Sequence, residues 1–215
     1  MSQLLEDISV ALQSGKAKVV TELIGKALEE GINAQDILQK GLMSGMDIIA
    51  VKFKANEVYV PEVLISARAM NTGTAMLKPY LTESGAKPLG KAVLGTVKGD
   101  LHDIGKNLVR MMFEGKGIEV VDIGIDVPAD KFVEVVKAEQ PDIVAMSALL
   151  TTTMGEMKIV IDALEAAGVR EGKIVMVGGA PVTESFSKSI GADVYAPDAA
   201  TGAEAASQAI LNKSA

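Results

Sequence analysis

The spacing of apolar residues changes once along this chain, near residue 84, and the two patterns cannot belong to one kind of layer. From Leu4 to Leu81 apolar residues recur three and four apart, the period of one helix face. Leu5, Ile8 and Leu12 mark a first helix; Val19, Val20, Leu23, Ile24, Ala27 and Leu28 mark a second, stopped by Gly31. Asn33, with Asp36 three residues on, suits the N-cap of a third helix through Ile37, Leu38, Leu42, Met46, Ile49 and Phe53. Pro61 suits the first turn of a fourth, which carries Val63, Leu64, Ala67, Met70, Thr74, Leu77 and Leu81. Residues 1–83 are expected to form a four-helix-bundle domain.

Ser84-Gly85-Ala86-Lys87-Pro88-Leu89-Gly90 carries turn residues and no period, so 84–90 reads as a linker. Beyond it, short β-branched runs alternate with helical stretches. Strands are expected over 92–97, 118–125, 143–147, 174–177 and 194–196, with helices over 104–114, 129–139, 154–167, 184–190 and 201–211. Strands separated by helices of this length pair in parallel through right-handed crossovers. Residues 91–215 should therefore form an α/β domain with a flavodoxin-like (Rossmann-like) five-stranded parallel sheet. Such sheets bind ligands beyond the carboxyl ends of their strands, which singles out the loops that start near Lys98, Ser147 and Gly178.

Composition narrows the chemistry. Aromatics make up 3% and Trp is absent, so the core must come from aliphatic residues, with the 11 Met read as gap-filling. A net charge of −7 with interspersed signs offers no basic stripe for a phosphate backbone, and no nucleic-acid partner is expected. The absence of cysteine removes disulfides, thiolate nucleophiles and sulfur-ligated metal sites. No apolar run reaches the roughly 18 residues that span a bilayer, and the early acids of Met1-Ser2-Gln3-Leu4-Leu5-Glu6-Asp7 do not resemble a signal peptide. A cytoplasmic protein without membrane contact is expected.

The polar and glycine residues of interest gather at the three strand ends: Asp100-x-His102-x-x-Gly105, then Ser147-x-Leu149 with Thr151-Thr152-Thr153, then Gly178-Gly179. His102 is the chain's one histidine. It can act as a single-point metal ligand, as a lone acid or base, or as packing. A neutral imidazole binds metal through one nitrogen while the other donates a hydrogen bond that fixes the tautomer; Asp100, two residues upstream, is placed to accept it, and Thr153 could bond that carboxylate in turn. The Thr run serves equally as a helix cap, and the glycine pair lets backbone approach a bulky ligand. Lys98-Gly99 to Gly105-Lys106-Asn107 superficially suggests a phosphate loop, but its first glycine comes one residue too early and Asn107 stands where Ser or Thr would bind magnesium.

These residues resemble the cobalamin-binding domain of the methionine synthase family and of the small corrinoid proteins that carry methyl groups. That family's pattern is Asp-x-His-x-x-Gly, a gap of about forty, Ser-x-Leu, a gap slightly under thirty, then Gly-Gly. Here the gaps are 41 residues (106–146) and 28 residues (150–177). Gly95-Thr96-Val97-Lys98-Gly99 is similar too, and the helical half resembles the cap that covers the reactive face of the corrin.

The resemblance implies a cobalamin or related corrinoid, in its methylcobalamin form, bound with its own base off cobalt. His102 is then the axial cobalt ligand, and Asp100 and Thr153 its proton relay. Asp103, Ile104, Gly105, Leu149, Thr151, Ser147, Gly178 and Gly179 are implied as cofactor contacts, the last two with Ser147 and Leu149 lining a slot for the displaced tail. Phe53, Val60 and Val63 are implied as cap residues that touch the methyl group, although their helical spacing equally fits bundle core. The chain would be a carrier and no enzyme by itself. Its implied partners are a substrate-specific corrinoid methyltransferase, a second methyltransferase that uses tetrahydrofolate or coenzyme M, and a reductive activator. Two rival readings are the cobalamin-binding subunit of an adenosylcobalamin-dependent isomerase and a cobalamin-sensing regulator; a cofactor-free flavodoxin-like signalling domain stands further off. Nothing in the residues selects among methanol, a methylamine, a betaine or an aromatic methyl ether as methyl donor.

Overall fold

Leu5, Ile8 and Leu12 line up on one face of α1 (Gln3–Gln13) and bury there, which commits that helix to packing against α2 (Ala17–Glu29). The computed structural model describes residues 2–83 and 87–214; the expected linker over 84–90 falls partly on 84–86, outside the described residues. Two compact units are present, one of Met1–Lys87 with Gly115–Gly117, the other of Pro88–Glu114 with Ile118–Ala215.

In the helical unit, Asn33 caps α3 (Ala34–Asp36) by accepting the N–H of Gln35 at 2.8 Å. The helix then widens into a π-helical stretch over Ile37–Met43 before resuming as α4 (Ser44–Lys54). The expected third helix thus holds an insertion that its apolar spacing did not reveal. Its glycines sit where helices nearly touch: a Cβ on Gly41 would lie 3.0 Å from Ile8, and one on Gly45 3.0 Å from the carbonyl oxygen of Ser9. The last helix of the unit, α5, runs Val60–Glu83 with Pro79 inside it. Glu62 reaches back to accept the N–H of Tyr59 at 3.0 Å, half of a capping box. Ile24 and Leu42 meet α5 at Gly73.

In the second unit five parallel strands take the order β2-β1-β3-β4-β5, the flavodoxin-like order with its switch point between β1 and β3. They are β1 (Gly90–Thr96), β2 (Ile118–Asp122), β3 (Ile143–Ser147), β4 (Ile174–Gly178) and β5 (Val194–Ala196). The intervening and closing helices are α6 (Ile104–Gly115), α7 (Ala129–Glu139), α8 (Gly155–Ala166), α9 (Glu184–Ser189) and α10 (Ala199–Ser214). Val93, Val144, Met146, Val175 and Val177 meet Phe132, Val136, Val160 and Ile161 in one core. The alternate residues Ala92, Leu94, Ala145 and Met176 are buried as well, as a parallel sheet with both faces covered requires.

β2 ends three residues short of the expected Ile125. Asp122 turns its Oδ1 onto the N–H of Gly124 at 3.0 Å, and Gly124 adopts φ +92°, which L side chains rarely take. The chain rejoins the sheet as a single bridge between Val97 and Val127.

Candidate functional site

Register brings together what the sequence spreads over a hundred residues. Thr96 pairs with Ser147, Ser147 with Gly178, and Gly178 with Ala196, so one row across the carboxyl edge carries the starts of the loops singled out above. Val97 and Ala148 extend that row by donating to the carbonyls of Ser147 (3.1 Å) and Gly178 (3.2 Å).

Asp100 lies at the centre with no exposed surface. Its Oδ1 accepts the backbone N–H of His102 at 3.1 Å and faces Nδ1 of the same residue at 2.7 Å. Its Oδ2 accepts the backbone N–H groups of Leu149 at 2.7 Å and Leu150 at 3.3 Å, and the hydroxyl of Thr153 at 2.8 Å. Burial pushes this carboxyl up, but the hydrogen bonds from Leu149, His102 and Thr153 outweigh it and hold it well below the usual carboxylate range.

An ionised carboxylate only accepts, so Nδ1 of His102 carries the hydrogen and, in the neutral ring, Nε2 carries the lone pair. Thr96, fully buried, fixes the backbone of the same residue by donating its hydroxyl to the His102 carbonyl at 2.9 Å. The imidazole side chain remains 49% exposed, and Nε2 has no partner among the described residues. The two loops that meet at Asp100 carry exposed apolar side chains: Leu101, Ile104, Leu149 and Leu150.

The other sequence-selected positions fall into distinct settings. Asp103 precedes α6, and its carboxylate accepts from the Asn107 side chain at 3.1 Å. Gly105 opens onto empty space, with nothing within 4 Å of where a Cβ would stand. Ser147 is half-buried and its hydroxyl has no hydrogen-bond partner among the described residues. Thr151 and Thr152 are exposed. Thr153 does not cap α8, whose N-cap Met154 makes no side-chain bond; its hydroxyl lies between Asp100 and the carbonyl of Leu150 (2.9 Å).

Gly178 and Gly179 have a reason that needs no ligand. A Cβ on Gly178 would stand 2.9 Å from the Ala196 carbonyl oxygen, and one on Gly179 1.9 Å from that of Ala148. Phe53, Val60 and Val63 belong to the helical unit, where Phe53 and Val60 are half-buried and Val63 has no exposed surface.

Sequence reasoning missed the Thr96 anchor and the Leu150 N–H. Thr96 is a strand-end residue whose hydroxyl serves a backbone carbonyl, that of His102, and Leu150 acts through its backbone, which no side-chain pattern reports.

The donor set suits a corrinoid. It offers one oriented imidazole nitrogen, an apolar rim and a side-chain-free gap at Gly105, which together fit a large flat group held through one metal bond. Two matches to the B12 binding domain cover the chain, over residues 90–207 and 4–78. The corrinoid protein DSY3155 of Desulfitobacterium hafniense is 39% identical over 213 residues, 98% of each chain. The dimethylamine corrinoid protein of Methanosarcina barkeri is 43% identical over 199 residues, 92% of each chain. Among solved structures, a chain of the methanol:cobalamin methyltransferase complex MtaBC from Methanosarcina barkeri matches with a TM-score of 0.87 and 33% identity, over 98% of this chain and 80% of that one.

Proposed function

Since the chain belongs to the B12-binding corrinoid proteins, we propose that it is a methyl carrier, handing a methyl group from one methyltransferase to another on the cobalt of a bound corrinoid. It performs no catalysis alone. A bound corrinoid supplies a cobalt centre that takes up a methyl group from a donor and yields it to an acceptor. Everything else would fall to the protein: His102 would hold that centre, and Asp100 and Thr153 would orient the imidazole.

The observation that carries this reading is the commitment of His102 Nδ1 to the buried Asp100 carboxylate at 2.7 Å, which leaves Nε2 as an oriented donor on an exposed side chain. Asp100 fixes the tautomer and orientation of that donor, as carboxylate partners of metal-bound imidazoles do. Thr153 steadies the carboxylate. Asp100 and Thr153 are proposed as the proton relay beside this group, with the Asp100 carboxyl held well below the usual carboxylate range. Leu101, Ile104, Leu149 and Leu150 would exclude water from around the imidazole of a loaded protein, and Ser147, Gly178 and Gly179 would hold the cofactor's tail. Asp103, Gly105 and Thr151 complete the proposed contacts. Phe53 and Val60 of the helical unit, residues 1–83 in this reading, are proposed as the shield of the methyl group, while Val63, with no exposed surface, serves as packing; 84–90 is the linker to the domain over 91–215.

Coverage of 98% of the length of a corrinoid protein favours the carrier over the isomerase-subunit and regulator alternatives. Partners of two kinds follow: a substrate-specific methyltransferase that loads the carrier and a second that unloads it onto tetrahydrofolate or coenzyme M. A reductive activator is a further partner in this proposal. Among the described residues no helix is long and apolar enough to cross a membrane, and a cytoplasmic location is part of the same proposal.

The test uses untagged protein loaded with cobalamin and reduced to the cobalt(II) state. Electron paramagnetic resonance should show splitting from one axial nitrogen, absent in a folded His102→Ala protein. A cofactor that is not retained, or splitting that survives in His102→Ala, would overturn the reading. Methyl transfer to the reduced protein, assayed with candidate donors and the methyltransferases encoded beside its gene, then identifies the donor.

A further inference from the structure

The backbone just before His102 is fastened by a residue that the carrier reading leaves idle. Asp126, in the connection between β2 and α7, donates its backbone N–H to the carbonyl of Asp100 at 3.0 Å. Its carboxylate Oδ1 accepts the N–H of Gly99 at 2.6 Å. Both bonds fall on the two residues that lead into the imidazole turn. Asp126 makes them from left-handed backbone, φ +52°, a conformation that a non-glycine residue keeps only where its surroundings over-determine it. Here the surroundings are those two bonds and the adjacent N–H of Val127, which donates to the Thr96 carbonyl at 3.0 Å.

The same connection grips the other side of the turn. Asp122, at the end of β2, receives Nζ of Lys106 at 2.6 Å, and Lys106 is almost fully buried at the start of α6. The segment from Leu101 to Gly105 is thus held upstream through Asp126 and downstream through Asp122, by one short connection that touches neither ring nitrogen.

We infer that the β2–α7 connection braces the axial imidazole and that Asp126 is a positioning residue, holding Gly99 and Asp100 so that the carboxylate meets Nδ1 of His102. What the imidazole does rests on the carrier reading; how it is held does not.

Because His102 is the chain's one histidine, the imidazole signals of untagged, cofactor-free protein report on this site alone. Asp126→Gly keeps the left-handed backbone and removes the carboxylate acceptor at an exposed position. Asp126→Asn tolerates the same backbone and keeps a side-chain oxygen. Nitrogen-15 spectra at one fixed pH should show a single Nδ1–H tautomer in the wild type, a mixture in Asp126→Gly, and recovery in Asp126→Asn. Partners of metal-bound imidazoles typically change affinity 10- to 100-fold, so Asp126→Gly, one contact further out, should weaken cobalamin binding about tenfold. Its axial-nitrogen splitting in the cobalt(II) state should fall in parallel. Wild-type imidazole signals in Asp126→Gly, whatever its unfolding midpoint, overturn the brace, and so does an Asp126→Asn protein that fails to recover them. A wild type without axial-nitrogen splitting counts against His102 as a ligand instead, while the cofactor-free spectra still decide the brace.

Discussion

The hydroxyl of Thr153 lies 2.8 Å from Oδ2 of Asp100, the one side-chain bond that reaches the carboxylate from the β3–α8 loop. A hydroxyl has one hydrogen, and the neighbouring Leu150 carbonyl at 2.9 Å competes for it; the charged acceptor wins because charge-assisted bonds are about twice as strong. Thr153→Val keeps shape and burial but leaves a charged acceptor short of a donor. A loss of about 1.5–3 kcal/mol is expected, read as a lower urea midpoint, with recovery in Thr153→Ser. Equal midpoints for Val and Ser would show that the hydroxyl contributes nothing to holding Asp100.

Asp100 makes acid sensitivity local. Its carboxyl is held below its ordinary value in the folded chain, so the stability it contributes is fully present above the unfolded value, near 3.8. That contribution is lost as pH falls from there towards the folded value. Asp100→Asn, which turns amide hydrogens towards buried N–H donors, should cost about 3 kcal/mol at pH 7. The gap between the two proteins should narrow by about 1 kcal/mol per unit below pH 4. Urea unfolding at pH 7, 5 and 3 measures it, and a gap unchanged at pH 3 contradicts the assignment.

The α/β half was legible because its pattern is redundant: β3 and β5 occupy the expected residues, each apolar run being bounded by turn chemistry on both sides. The π-helical stretch over Ile37–Met43 was not, since one extra residue per turn leaves Ile37, Leu38 and Leu42 on nearly the same face. Asp100, His102 and Thr153 stood out because chemistry at a strand end is conspicuous. Thr96 and Asp126 did not, because each acts on backbone groups, Thr96 on the His102 carbonyl and Asp126 on Gly99 and Asp100, which no side-chain pattern reports. Gly178 and Gly179 were legible as glycines, but the sequence did not show their steric reason, the approach of the Ala196 and Ala148 carbonyls.

That reason makes Gly179 a fold residue. At φ +128°, with a Cβ position 1.9 Å from a backbone oxygen, alanine would have to displace the β3–α8 loop, and no flexible side chain is there to yield. Gly179→Ala should lose about 4 kcal/mol or more, the range reserved for steric conflict in the core. The unfolding midpoint of the cofactor-free protein measures it; a midpoint within about 1 kcal/mol of the wild type would show that the loop gives way easily.

Gly105 is the opposite case, and it separates fold from function in one substitution. Nothing within 4 Å would meet its Cβ, and the residue lies in the first turn of α6. Alanine there should leave stability unchanged or raise it by up to about 1 kcal/mol through helix propensity. The protein itself therefore does not demand glycine at this position, next to Ile104 and three residues beyond His102. If the open space belongs to the corrinoid, Gly105→Ala should bind cobalamin at least about tenfold more weakly while unfolding at the same urea concentration as the wild type or a higher one. Fluorescence-free absorbance titration of the cofactor gives the affinity and circular dichroism the stability. Wild-type affinity in a stable Gly105→Ala protein would remove Gly105 from the contact surface, whereas weak binding without destabilisation is an outcome that a purely structural glycine cannot produce.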